Sequence, residues 1–91
     1  MKFKYFIEIA TGAQADTPNA DWHFSEFCFT LKDARQAMAK MFGEKSAADD
    51  RGEEYEREWD DCARQAKSAD VGDVISFDEF AVRICKESDG E

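Results

Sequence analysis

The sequence predicts an α+β domain: a small antiparallel β-sheet in the order β-β-α-α-β-β, with two helices packed on one face. Three observations carry this reading. Residues 1–10 (MKFKYFIEIA) alternate apolar and polar, and Val74–Cys85 (VISFDEFAVRIC) is rich in β-branched and aromatic residues. Between them, Leu31–Phe42 and Asp49–Ser68 repeat apolar residues at helical spacing. A chain of 91 residues suits a single domain, 1–91, with one modest core.

In the first strand Phe3, Tyr5, Ile7 and Ile9 share one face, and Lys2, Lys4 and Glu8 the other. Phe6 breaks the pattern and calls for cover by a loop or a partner. Thr11–Asp21 (TGAQADTPNAD) is a loop, because Gly12, Pro18 and Asn19 interrupt regular structure. Trp22–Phe29 (WHFSEFCF) forms a second strand paired with the first. Its aromatics fall on both parities: either a bulge near Ser25–Glu26 brings them to one side, or both faces of the strand are covered.

Thr30 is placed to cap a helix over Leu31–Phe42, with Asp33 three residues on and Gly43 as the stop. Asp50 is the expected cap of the long helix that follows. There Tyr55, Trp59, Cys62, Ala63 and Ala66 form one stripe, and acidic side chains fill the remaining surface. Glu53–Arg57 and Asp60–Arg64 are spaced as i,i+4 ion pairs. After the turn Ala69–Asp73, the apolar parity switches at Asp78–Glu79. This marks either a tight turn between two strands or one bulged strand. Residues from about 86 read as a flexible polar tail. The expected core is Phe3, Tyr5, Ile7, Ile9, Phe27, Phe29, Leu31, Ala34, Met38, Met41, Tyr55, Trp59, Cys62, Ala66, Ile75, Val82 and Ile84.

The net charge is −9, from 12 basic and 21 acidic residues. Such a surface repels nucleic acid and acidic lipid and attracts basic partners. No stretch is long and apolar enough for a signal peptide or membrane span, and three widely spaced cysteines suit a reducing cytoplasm. The sole histidine, His23, lies beside aromatics and no nucleophile motif is present, so a non-enzymatic role without a cofactor is expected. His23 with Cys28, Cys62 and Cys85 lacks the C-x₂-C spacing of a zinc site.

The candidate partner-binding residues are Asp49, Asp50, Glu53, Glu54, Glu56, Glu58, Asp60 and Asp61. A helix rises ~1.5 Å per residue, so these acids approach the charge density of a duplex, which carries one charge per ~1.7 Å. The expected partner is a basic protein or complex that itself handles nucleic acid. The loop Thr11–Asp21 is a second possible binding surface. An interaction or assembly module working through exposed aromatics such as Phe6 and Trp22 is a third reading.

Two resemblances accompany these readings. Ser68–Phe80 (SADVGDVISFDEF) resembles the second half of an EF-hand loop, with Ile75 and Glu79 at the characteristic places, which implies a calcium-responsive domain using Asp70, Asp73 and Glu79. Ser68 stands where the motif has Asp, Gly72 and Asp73 are exchanged, and the β-branched content favours strands instead. In size, charge and α+β make-up the whole chain resembles small acidic inhibitors of phages and mobile elements, including anti-CRISPR proteins and other DNA mimics. That likeness implies a stoichiometric inhibitor of a defence complex, acting in the host cytoplasm.

Overall fold

The computed structural model describes residues 3–87. The elements are β1 (Tyr5–Thr11), β2 (His23–Cys28), α1 (Leu31–Ala48), α2 (Glu53–Ala66), β3 (Val74–Phe77) and β4 (Phe80–Lys86). The four strands form one antiparallel sheet in the order β2-β1-β4-β3. The fold is therefore the α+β arrangement that the sequence predicts.

Cross-strand pairing fixes which side chains share a face. Ile7 lies opposite Ile84, Ile9 opposite Val82, and Val82 opposite Ile75. These residues meet Ala34, Met38 and Phe42 of α1 and Trp59, Cys62 and Ala66 of α2 in the main core. Both helices thus cover one side of the sheet. A smaller cluster of Ala10, Ala81 and Ala15 lies on the other side, where the loop after β1 folds back with Ala20 and Trp22. That loop is closed by successive turns, and its Gly12 N–H donates to the Glu79 carbonyl at 2.9 Å.

The β1–β2 register shifts between Ile7 and Glu8, opposite Ser25. This is the bulge that was one of the two readings of the aromatic pattern, but it turns the rings away from the helices. Phe24 and Phe27 pair with Glu8 and Phe6 on the open face, while Cys28 enters the core. Phe3, Phe27 and Phe29 were expected in the core and instead lie 40%, 46% and 41% exposed. The cause is positional. β2 is an edge strand, and only Cys28 at its end reaches beneath α1.

Two helix boundaries also differ. α1 runs through Gly43 to Ala48, because an unkinked glycine costs a helix only about 1 kcal/mol. Phe42, the residue before Gly43, is fully buried, while Gly43 itself is exposed. Asp50 does not cap α2. The cap is Gly52 at φ 123°, a conformation for which glycine is suited, and no side chain completes it. Thr30 caps α1 as expected, accepting from the Asp33 N–H at 3.0 Å.

The parity switch at Asp78–Glu79 is a two-residue hairpin turn with φ of 52° and 62°. Both positive values match the twist of a type I′ hairpin. Phe77, Phe80, Val82 and Ile84 consequently share the helix side. β4 continues through Lys86, and the Glu87 N–H donates to the Lys4 carbonyl at 2.8 Å, so the expected tail begins later than 86. Residues 88–91 of that tail lie outside the described residues.

Asp tolerates the left-handed region better than Glu. Glu79→Gly is therefore expected to stabilise the fold by about 0.5–1 kcal/mol, a rise in melting temperature of roughly 2–8 °C. Thermal unfolding followed by circular dichroism checks this, and an unchanged or lower midpoint would show that the turn stores no strain.

Candidate functional site

The apolar stripe of α2 faces α1 and β3, which forces its acids outward. Successive side chains on a helix are ~100° apart, so Glu53, Glu54, Glu56, Glu58, Asp60 and Asp61 spread over about 200° opposite Trp59. All six are exposed. Two arginines fall inside this arc. Arg57 lies 3.7 Å from Glu53, and Arg64 lies 3.0 Å from Asp61, not from the expected Asp60. Gln65 also donates to Asp61 at 2.9 Å. Glu54, Glu56, Glu58 and Asp60 pair with no cation among the described residues.

From Glu53 to Asp61 the helix rises roughly 12 Å. Six carboxylates against the single Arg57 leave a net density of one charge per ~2.4 Å, lower than the ~1.7 Å of a duplex. Beside this face a recess of about 370 Å³ opens between α2 and β3, lined by Tyr55, Phe77, Glu54, Glu58 and Arg57. The two rings lie 6.1 Å apart. Two aromatic rings and two carboxylates against one lining arginine give the recess a chemistry that suits a guanidinium or ammonium group.

Asp50 is exposed ahead of α2, but Asp49 has another task. Its side chain is only 8% exposed. It accepts from the Arg51 Nε–H at 2.9 Å and from the Trp59 indole N–H at 2.8 Å, and it also accepts from the Arg51 backbone N–H. Arg51 reaches on to Asp78 in the hairpin and stacks over Tyr55 at 4.0 Å. Asp49 therefore ties the α1–α2 connection to the β3–β4 turn and presents little charge to a partner. The bonds from Arg51 and then Trp59 hold its carboxyl well below the usual carboxylate range.

The opposite sheet face carries a feature only partly anticipated. Phe3 stacks on Phe29 at 4.3 Å and on Phe27 at 5.0 Å, and Phe24 lies 4.7 Å from Phe27. Phe6 sits among them, half-buried. Trp22 is not a free aromatic, because Arg83 lies over its ring at 4.2 Å while donating to Glu8. The sequence offers Phe6 as a signal here; its neighbours were hidden by the bulge.

A third surface lies between the helices. Lys32, Arg35, Lys40 and Lys67 line a groove of about 620 Å³ with Ala39 and Ala63, so the cations are less scattered than the sequence suggests. Arg35 is already engaged, donating to the Ala69 carbonyl at 2.7 Å.

The half EF-hand likeness does not extend to the structure. Ser68–Phe80 folds as a turn, β3 and a hairpin, with no second helix. Asp73 accepts from the Asp70 N–H and Asp70 from the Val71 N–H, while Glu79 sits in the hairpin turn beyond β3. Among the described residues no three His, Cys, Asp or Glu side chains gather as a metal site requires. Burial, with Asp61 and Glu58 nearby, pushes the Cys62 thiol up to about 11, which keeps it protonated at neutral pH. Among the described residues no helix is long and apolar enough to cross a membrane.

No protein-family model, curated protein or solved structure matches this chain. The functional reading therefore rests on its surface chemistry.

A carboxylate whose folded value is depressed adds stability above its unfolded value of ~3.9, and that stability is lost as pH falls below it. Asp49→Asn is expected to lower the urea midpoint at pH 7 and to narrow its gap to wild type as the pH drops from 4 towards 2. Equal midpoints at pH 7 would show that the Asp49 contacts add nothing.

Proposed function

We propose that this chain is a non-enzymatic binding protein that engages a basic, nucleic-acid-handling partner through the exposed acids of α2. The observation that carries the reading is the recess at the foot of that helix. Glu54 and Glu58 line it with Tyr55 and Phe77, and they outnumber the one lining cation, Arg57. An arginine side chain of the partner finds carboxylates there for its fork of donors and the Phe77 ring for its plane, one face of Tyr55 being already covered by Arg51. Glu56 and Asp60 extend the negative field along the helix and steer a basic groove into place, with binding that weakens as salt rises.

The size, charge and α+β form are those of small acidic inhibitors that occupy nucleic-acid sites of defence complexes, and that role suits a surface of this kind. The lower charge density and the two arginines within the arc make the recess, more than a continuous imitation of a phosphate backbone, the specific contact. Asp50 and Glu53 lie at the N-terminal margin of the face. Asp61, tied to Arg64 and Gln65, contributes charge with less freedom to reorient.

The test is affinity capture from lysate with the wild-type chain and with the triple variant Glu54→Lys, Glu56→Lys, Glu58→Lys. These residues are exposed and carry no ion pair, but Glu54 and Glu56 lie in the first turn of α2, so the reversal should lower the melting temperature by several degrees and circular dichroism must show the fold retained. A nucleic-acid-binding partner captured by wild type, displaced by excess duplex DNA and lost in the triple variant is the expected outcome. Capture that survives both the competitor and the reversal would overturn the reading.

A further inference from the structure

We propose that the open face of the sheet joins two copies of this chain back to back. Phe24 is 54% exposed, Phe27 46%, Phe29 41% and Phe3 40%, and they form one continuous stack around Phe6. At roughly 200 Å² per aromatic side chain, these four rings leave about 350 Å² of apolar surface in water. Val74, 49% exposed on the same face, lies across the Glu8–Arg83 pair on the far edge strand and stays outside this stack. A contiguous patch of that size lies in the range at which the largest patches of monomers are often functional. It also fits the apolar centre of an interface burying about 800 Å² per partner.

The charge distribution selects a second copy as the occupant. A chain of net −9 should repel itself, yet the phenylalanine end of this face carries no free carboxylate; the exposed acids Asp16 and Asp21 belong to the loop over its other end. The strands carry two carboxylates. Glu26 lies opposite Ile7 on the helix side, and Glu8 is neutralised by Arg83 at 2.6 Å. The acids of α2 lie in the other layer. Stacked sheets are ~10 Å apart and a helix is about 10 Å across, so back-to-back packing leaves the two acidic helices roughly 30 Å from each other. That is well beyond the ~8 Å screening length at physiological salt. A two-fold arrangement sets this patch against the same patch of the second copy and creates no growing contact. The loop carrying Ala15 and Ala20 stands over the far end of the face and limits contact to the phenylalanine end.

The pairing does not depend on the acidic-helix reading and uses the opposite surface. The test is sedimentation of the pure chain over a hundredfold dilution series, at low and high salt, alongside Phe24→Lys and the double variant Phe24→Lys, Phe27→Lys. The expected result is a species of twice the 10.4 kDa chain mass at the concentrated end, unweakened by salt. Each added lysine should weaken it about tenfold or more. The substituted rings are half in water already, so circular dichroism should show the fold retained. Should the double variant fail to fold, Phe24→Lys and the dilution shifts of the wild-type ring protons supply the same readout. A chain that is monomeric throughout, or a dimer indifferent to both substitutions, would overturn the proposal.

Discussion

The packing around Trp59 holds the two layers together. Its ring meets Phe77 edge-on at 4.8 Å and lies 6.1 Å from both Phe42 and Phe80. Those contacts join α2 to α1, to β3 and to β4 at one point. Its indole N–H is buried with the core and needs an acceptor, because an unpaired buried donor costs ~1–3 kcal/mol. Asp49 supplies that acceptor and is in turn held by Arg51. A single aromatic residue therefore dictates where the α1–α2 connection must pass and why one acid of an acidic run turns inward.

With the core so placed, the surface divides by layer. α2 can bury only its stripe, and everything else on it must be polar. The sheet has its second face left over, and the loop after β1 covers only the end near Ala10 and Ala81. The remaining part collects phenylalanines that a four-stranded sheet with two helices has no further layer to cover. The Glu8–Arg83–Trp22 stack separates the covered end from the open one. It satisfies two charges on a surface otherwise short of polar partners.

Much of this was legible in the residues themselves. Period-two alternation located β1, and the parity switch at Asp78–Glu79 narrowed that segment to a tight turn or a bulged strand. Thr30 with Asp33 fixed the start of α1, and the mixed parity of Trp22–Phe29 offered the bulge as one of two solutions. Parity, however, reports which residues share a face and not which face is covered. Phe3, Phe27 and Phe29 were placed on the wrong side for that reason. Gly43 was read as a stop because glycine commonly ends a helix, whereas here it stays helical on the exposed side of α1. The recess between Tyr55 and Phe77 joins residues 22 positions apart, and the link from Asp49 to Asp78 is likewise long-range. Neither leaves a mark on local pattern.

The division of the surface also gives the molecule the character of an amphiphile. One broad side is ionic, and the other is aromatic at its phenylalanine end, with the thickness of one helix and one sheet between them. Such a particle has a preferred orientation at any boundary between water and a less polar medium. It would lie flat there, rings toward the apolar phase and carboxylates toward water, and neighbouring particles would repel one another laterally through their charged sides.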